Sequence, residues 1–146
     1  MYETIQILHS YMAYVVLAVL FLAVANALIG LAGNKMFTLN KDFRLSLFTL
    51  ILSHIQLVVG LILYFISPNG MKAIQELGMG GMSAAARLLA LEHPLINIIA
   101  VVFITIGWSR HKKFMEGNKK FKSIAIFYGL GLVFILSRIP WGQWLN

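Results

Sequence analysis

The chain contains no cysteine among its 146 residues. That absence excludes disulfides, cysteine zinc sites, thiol catalysis and covalent c-type heme attachment. Charge is scarce as well: 12% of the residues are Asp, Glu, Lys or Arg, against 60% that are hydrophobic. A water-soluble domain of this length cannot cover itself with so little polar surface. The N-terminus has no basic residues ahead of its first apolar run, and that run is too long for a signal peptide. The first run is therefore expected to remain as a helix.

What is present is a set of four long apolar runs. They cover Ile5–Leu31, Leu45–Ile66, Leu95–Ser109 (with an extension before Pro94) and Ser123–Ile139. Ser, Thr, Asn and Gln interrupt them, but charges scarcely do. Runs of this length and composition read as membrane-spanning helices. Short connections between four spans leave no room for a soluble domain. The expected fold is all-α: one integral membrane four-helix bundle over residues 1–146, with the lipid bilayer as its first partner.

The few charges carry the orientation. Nine of the twelve Lys and Arg fall in two loops, Lys35, Lys41 and Arg44 after the first span, and Arg110, Lys112, Lys113, Lys119, Lys120 and Lys122 after the third. The positive-inside rule places both loops in the cytoplasm of a bacterial cell, so both termini face outward, to the periplasm. The net charge of +7 then reads as a topology signal with some attraction for anionic lipid, and calls for no nucleic acid. Trp141 and Trp144 in "PWGQWLN" suit an outer aromatic belt. The remaining loop, "SPNGMKAIQELGMGGMSAAARLLALEHP", lies outside. Pro68, Gly70 and "GMGG" break structure there. Ser83 is placed to cap a short extra helix, "AAARLLALE". That helix either continues through Pro94 with a kink or stops, leaving Pro94 in the first turn of the third span. The Met-rich "GMGGM" reads as loop and not as a copper site, because no His or Cys stands beside it.

Small residues mark the faces that pack in a membrane, where lipid supplies no hydrophobic drive for helix association. In the first span His9, Ala13, Val16, Leu20, Ala23, Ala27 and Gly30 recur at spacings of four and three. In the third, His93, Asn97, Ala100, Ile104, Gly107 and His111 keep the same rhythm. Both stripes read as inward seams headed at the outer end by a histidine. At about 1.5 Å per residue His9 lies roughly 30 Å above Gly30, and His93 roughly 25–30 Å above Arg110. The two imidazoles therefore stand at one depth, near the outer leaflet. Histidines on facing helices of a bundle can clamp an iron cofactor, so His9 and His93 are the expected axial ligands of a heme b. Two axial imidazoles leave no open position on iron, which favours electron transfer over oxygen chemistry. Arg138, near the outer end of the fourth span, and Arg87 are expected partners for heme propionates.

Other polar residues have bland readings beside these. His9 alternatively hydrogen-bonds lipid headgroups, and His93 alternatively caps the third span beside Pro94. His111 lies in a basic loop and is expected to be solvated. His54 lies roughly 15–18 Å into the second span. The small and polar stripe Thr49, Ser53, Gln56 and Gly60 should face inward, which points His54 toward a neighbouring helix, another subunit or lipid. With the helix turned the other way, His54 becomes an alternative ligand opposite His93, or a proton relay. Asn26, Asn97 and Gln56 read first as interhelical hydrogen bonds. Arg138 alternatively snorkels. Glu92 either orients His93 or bonds backbone.

Three segments resemble one four-helix half of the heme A synthase family, a membrane protein built from two such bundles. "QILHSYMAYVV" is similar to that family's Glu-x-x-His-Arg helix start. "FRLSLFTLILSHIQLVVGLILYFISPNG" is similar to its next helix, with the Gln-x-x-x-Gly step at Gln56 and Gly60. "MSAAARLLALEHPLINI" is similar to its Arg-Leu-Ala-x-His-Leu start. The resemblance covers spans one to three and implies heme ligation by His9 and His93, with Gln56 among the cofactor-contacting residues. It departs where the family's glutamate is Gln6 and the arginine after the histidine is Ser10, and only one half-bundle is present. These departures remove the residue tied to the family's chemistry. The chain also resembles small bacterial four-helix membrane proteins of the b-type cytochrome kind.

The expectation is a heme-b-binding, b-type cytochrome-like protein of the bacterial cytoplasmic membrane. It transfers electrons to a quinone or serves as a small subunit of a membrane redox complex, in a homo- or hetero-oligomer, and is not an enzyme by itself. Two alternatives stand beside it: a non-heme structural or assembly subunit, and a heme-modifying protein related to heme A synthase. A transporter fits worst, since the four spans show no inverted repeat or mid-membrane break.

Overall fold

A computed structural model describes residues 1–144; Leu145 and Asn146, which close "PWGQWLN", lie outside the described residues. Among the described residues every regular element is helical: α1 (Tyr2–Ala32), α2 (Arg44–Ile66), α3 (Met71–Leu77), α4 (Ala84–Arg87), α5 (His93–Lys113), α6 (Gly117–Ser137) and α7 (Trp141–Trp144). Four helical stretches, Tyr2–Ala32, Leu39–Leu77, Ala84–Lys113 and Gly117–Ser137, are long and apolar enough to cross a membrane. The chain is a multi-pass membrane protein by that measure.

The long helices pack in a ring, α1 beside α2, α2 beside α5, α5 beside α6 and α6 beside α1. Helices α1 and α5 therefore face each other across a diagonal. Short connections make neighbours antiparallel, so both basic loops share one end of the bundle and both termini mark the other.

The buried residues of α1 are Val16, Leu20, Ala23, Ala27 and Gly30, the stripe read from its spacing. Those of α5 include Ala100, Ile104, Gly107 and His111. On α2 the inward face carries Ser46, Thr49 and Ser53. These hydroxyls suit an apolar setting because each returns a hydrogen bond to the carbonyl four residues back, at 2.9, 2.8 and 2.6 Å. Their smallness lets α1 approach.

The helices pack closely through the middle of the bundle, and a cavity of about 220 Å³ lies at the basic end beside Asn26, Gly30, Asp42 and Phe121. A Cβ on Gly30 would sit 2.5 Å from the Phe121 ring, one on Gly107 2.7 Å from Phe127 Cβ, and one on Gly131 2.9 Å from Ile104. Tyr128, fully buried, donates across the other diagonal to the Ser46 carbonyl at 2.8 Å. His111 corrects an expectation. Helix α5 runs four residues past Ser109, so His111 is not solvated in a loop but fully buried. The rings of Phe37, Phe43 and Trp108 close around it.

The third spanning stretch is continuous from Ala84 to Lys113, with a π-helical turn at Leu88–Glu92 just ahead of the proline. Pro94 has no N–H for the carbonyl four residues back, and its ring crowds that carbonyl; a widened turn absorbs both faults. Ser83 caps this stretch, its Oγ accepting from Ala86 N at 3.1 Å. Met82 of the Met-rich loop is buried against Ala73 and Ala90.

Candidate functional site

A larger cavity lies at the end of the bundle opposite the basic loops. It measures about 330 Å³ and opens between the four long helices at the end that carries the termini. Its floor is apolar, with Val16, Leu17, Leu57, Val101 and Ile135; its upper wall is polar, with Tyr2, Gln6, Ser10, Tyr64, Asn69 and Gln143. An apolar body with a few polar groups at one end is the usual character of a small-molecule site.

His9 from α1 and His93 from α5 both line this cavity. Their ring centroids are 6.1 Å apart with ring planes at 88°. The pairing follows from the diagonal arrangement: each histidine heads the inward stripe of its helix, and those stripes face each other.

His93 is held firmly. Its Nδ1 lies 2.9 Å from the carbonyl of Arg138, at the end of α6. The Asn97 amide nitrogen also lies 3.2 Å from this Nδ1, but the Arg138 carbonyl is the nearer partner and only accepts, so in that bond Nδ1 carries the hydrogen and Nε2 of the neutral ring keeps its lone pair. Asn97 lies one turn below and donates to the His93 carbonyl at 2.6 Å. It therefore bonds within its own helix, not between helices as expected. His9 is held differently. Gln56 Nε2 on α2 donates to its backbone carbonyl at 2.8 Å, and Gly60, one turn further on, leaves room for the ring. A Cβ there would meet His9 Cε1 at 3.1 Å.

Two buried polar atoms in this site lack a partner, His9 Nδ1 and Gln56 Oε1. An unsatisfied buried polar atom costs about 1–3 kcal/mol, so the contact of His9 with α2 is incompletely satisfied. The third such atom among the described residues is His111 Nε2, at the basic end.

The two arginines are not in the cavity wall. Both bind Glu92: Arg87 Nε lies 3.3 Å from Oε2 and Arg138 Nε 3.3 Å from Oε1. This three-residue cluster has a surplus of one positive charge and adjoins His93. Glu92 was the residue whose role the sequence left open, and it bonds neither the imidazole nor backbone but the two guanidinium groups.

The structure does not bring His54 to the pair. It is exposed on α2, with Nδ1 2.7 Å from the Leu50 carbonyl and Nε2 3.2 Å from Thr105 Oγ1 on α5. Nδ1 is thus engaged within α2 itself, and only Nε2 makes a contact with the neighbouring helix α5. Asn26 does bond between elements, its Nδ2 donating to Asp42 at 2.7 Å. Asp42 also accepts from the Thr38 backbone at 2.8 Å. Trp144 stacks on Tyr14 at 4.5 Å and lines the cavity. Sequence reasoning had placed it only as an interface anchor; its four-residue spacing from Pro140 gives no hint of a cavity.

Among the described residues no group of three or more His, Cys, Asp or Glu side chains converges as a metal cluster. Searches against protein-family models, curated proteins and solved structures find no match to this chain. The resemblance to a heme A synthase half rests on the motifs alone.

Proposed function

We propose that the cavity holds a b-type heme between His9 and His93, and that the chain is an electron-transfer protein of the bacterial cytoplasmic membrane. In this reading the basic end faces the cytoplasm and the cavity faces the periplasm. The protein passes electrons to a quinone or acts as a small subunit of a membrane redox complex.

One observation carries the reading: two imidazoles facing each other across a cavity, 6.1 Å apart. With a metal–imidazole bond of about 2 Å on each side, two rings sharing one metal have centroids roughly 6 Å apart. A macrocycle brings its own equatorial donors, so a pair of protein nitrogens is sufficient. Heme would supply a one-electron iron centre, with His9 and His93 as the residues that would hold it, a pairing that would favour electron transfer over oxygen chemistry.

The chain's own residues supply the rest. The Arg138 carbonyl holds His93 Nδ1 at 2.9 Å and would leave Nε2 as the nitrogen to bind iron, as partners behind metal-bound histidines commonly do. Gly60 and Gln56 seat His9. The apolar floor suits a macrocycle, and the surplus charge on the Arg87–Glu92–Arg138 cluster suits the carboxylates on its edge. Gln6 and Ser10 line the cavity where a heme-modifying relative has an acid and an arginine. That argues for a carrier over a modifying enzyme.

The deciding experiment is the visible absorption spectrum of the detergent-purified protein, as isolated and after dithionite. The expected result is a Soret band with sharp α and β bands on reduction. His9→Ala and His93→Ala should each lose that six-coordinate spectrum while the protein stays in the membrane. A protein that remains colourless when heme is offered overturns the reading and leaves a structural subunit.

A further inference from the structure

We infer that Glu92 is a positioning residue: by gripping Arg138 it sets the end of α6 so that the Arg138 carbonyl holds His93 in one orientation. The inference rests on the reading of His93 as a ligand, and deepens it.

A helix leaves its last carbonyls without intrahelical partners. Helix α6 ends at Ser137 with Arg138 as its cap, and Pro140 beyond it has no N–H to offer. One of these free carbonyls, that of Arg138, is taken by His93 Nδ1 at 2.9 Å, although the residues are 45 apart in sequence. The carbonyl's position depends on how the end of α6 sits against the start of α5. The two helices pack along their length, with Ser123 Oγ donating to the Gly107 carbonyl at 3.0 Å, and at their outer ends two adjacent residues tie them. Glu92 takes the Arg138 side chain at 3.3 Å, and His93 takes the Arg138 main chain. The remaining Nη1 bond of Arg138 returns to its own helix, at the Ser137 carbonyl 2.8 Å away.

The clamp is built for orientation more than for stability. The side chains of Arg138 and Glu92 are 49% and 35% exposed, and ion pairs this open contribute little to folding. What the pair does is remove a rotation. Without it the imidazole loses its tie to α6 and is left with the Asn97 amide, 3.2 Å from the same Nδ1, a donor that favours the other tautomer. Arg87 binds the opposite carboxylate oxygen but touches neither α6 nor the imidazole. The two arginines are therefore separable by mutation.

The test uses the full chain in detergent, labelled with ¹⁵N-histidine and read by NMR without added heme. In the wild type His93 should show one protonated nitrogen, Nδ1, and one unprotonated nitrogen. Glu92→Gln and Arg138→Gln should each move both signals toward the average of two tautomers, with helix content and thermal midpoint unchanged. Arg87→Gln should leave the His93 signals in place. After heme loading, the low-spin ferric EPR signal should broaden or shift in Glu92→Gln and stay as wild type in Arg87→Gln. Wild-type nitrogen signals in Glu92→Gln overturn the inference, as does an equal response to Arg87→Gln, which would mark a pure charge effect. A wild type that shows the single tautomer and its loss in Glu92→Gln, yet takes no heme, sinks the heme reading and leaves the positioning role intact.

Discussion

Replacing Gly60 by alanine isolates the seat of His9 from the rest of the bundle. The added Cβ would lie 3.1 Å from His9 Cε1 and 3.6 Å from Nδ1, with no other atom in range. The whole strain falls on one ring, which must rotate or retreat by a few tenths of an ångström. Turning a side chain about 30° off its preferred rotamer costs about 0.5–1.5 kcal/mol. Alanine in place of glycine inside a helix returns about 0.5–1 kcal/mol. Folding stability should therefore move by less than about 1 kcal/mol in either direction. The cost falls instead on a ligand that requires the imidazole where it is. At about 1.4 kcal/mol per factor of ten, heme affinity should drop roughly twofold to tenfold. The assay is a heme titration of the detergent-solubilised protein, followed at the Soret band, alongside a thermal melt of the heme-free form. Gly60→Val, with two further methyl groups aimed at the ring, should lose the six-coordinate spectrum. An unchanged Kd for Gly60→Ala, or a loss of heme that comes with a collapse of the melt, refutes the reasoning.

Two further substitutions probe positions outside the larger cavity. Gly30→Ala would place a Cβ 2.5–2.7 Å from three atoms of the Phe121 ring, a ring that is 2% exposed and boxed in by Phe37. Overpacking of that kind costs about 1–3 kcal/mol, so the thermal midpoint should fall while the reduced heme spectrum of the folded protein stays as wild type. His54→Ala removes one interhelical hydrogen bond to Thr105, and such bonds in membranes average about 0.6 kcal/mol. It should barely move the melt and leave both heme bands in place; a colourless His54→Ala protein would restore His54 as a ligand.

Much of the fold was readable from one-dimensional patterns. Four apolar runs fix four spanning helices, because a helix in lipid must satisfy its backbone internally and show apolar side chains outward. The spacing of small residues fixes the inward faces: Val16 to Gly30 on α1 and Ala100 to His111 on α5 are the buried stripes. Those same stripes place His9 and His93 at one depth. Span ends were less legible. Hydropathy falls at Ser109 and Arg110, yet backbone hydrogen bonding carries α5 on to Lys113, and that extension buries His111.

By itself, then, the sequence determined how many spanning helices there are, which faces pack, and that two histidines share a level. Only the tertiary structure decided what those side chains meet. That α1 and α5 lie on a diagonal, with the imidazoles turned toward each other across a cavity, depends on the order of helices around the ring. The same holds for His93 meeting the Arg138 carbonyl, for Glu92 taking both arginines, and for His54 turning away to Thr105. Each of these is a contact between residues distant along the chain. Helical periodicity specifies direction about one axis only, so such contacts are settled when the axes are packed together.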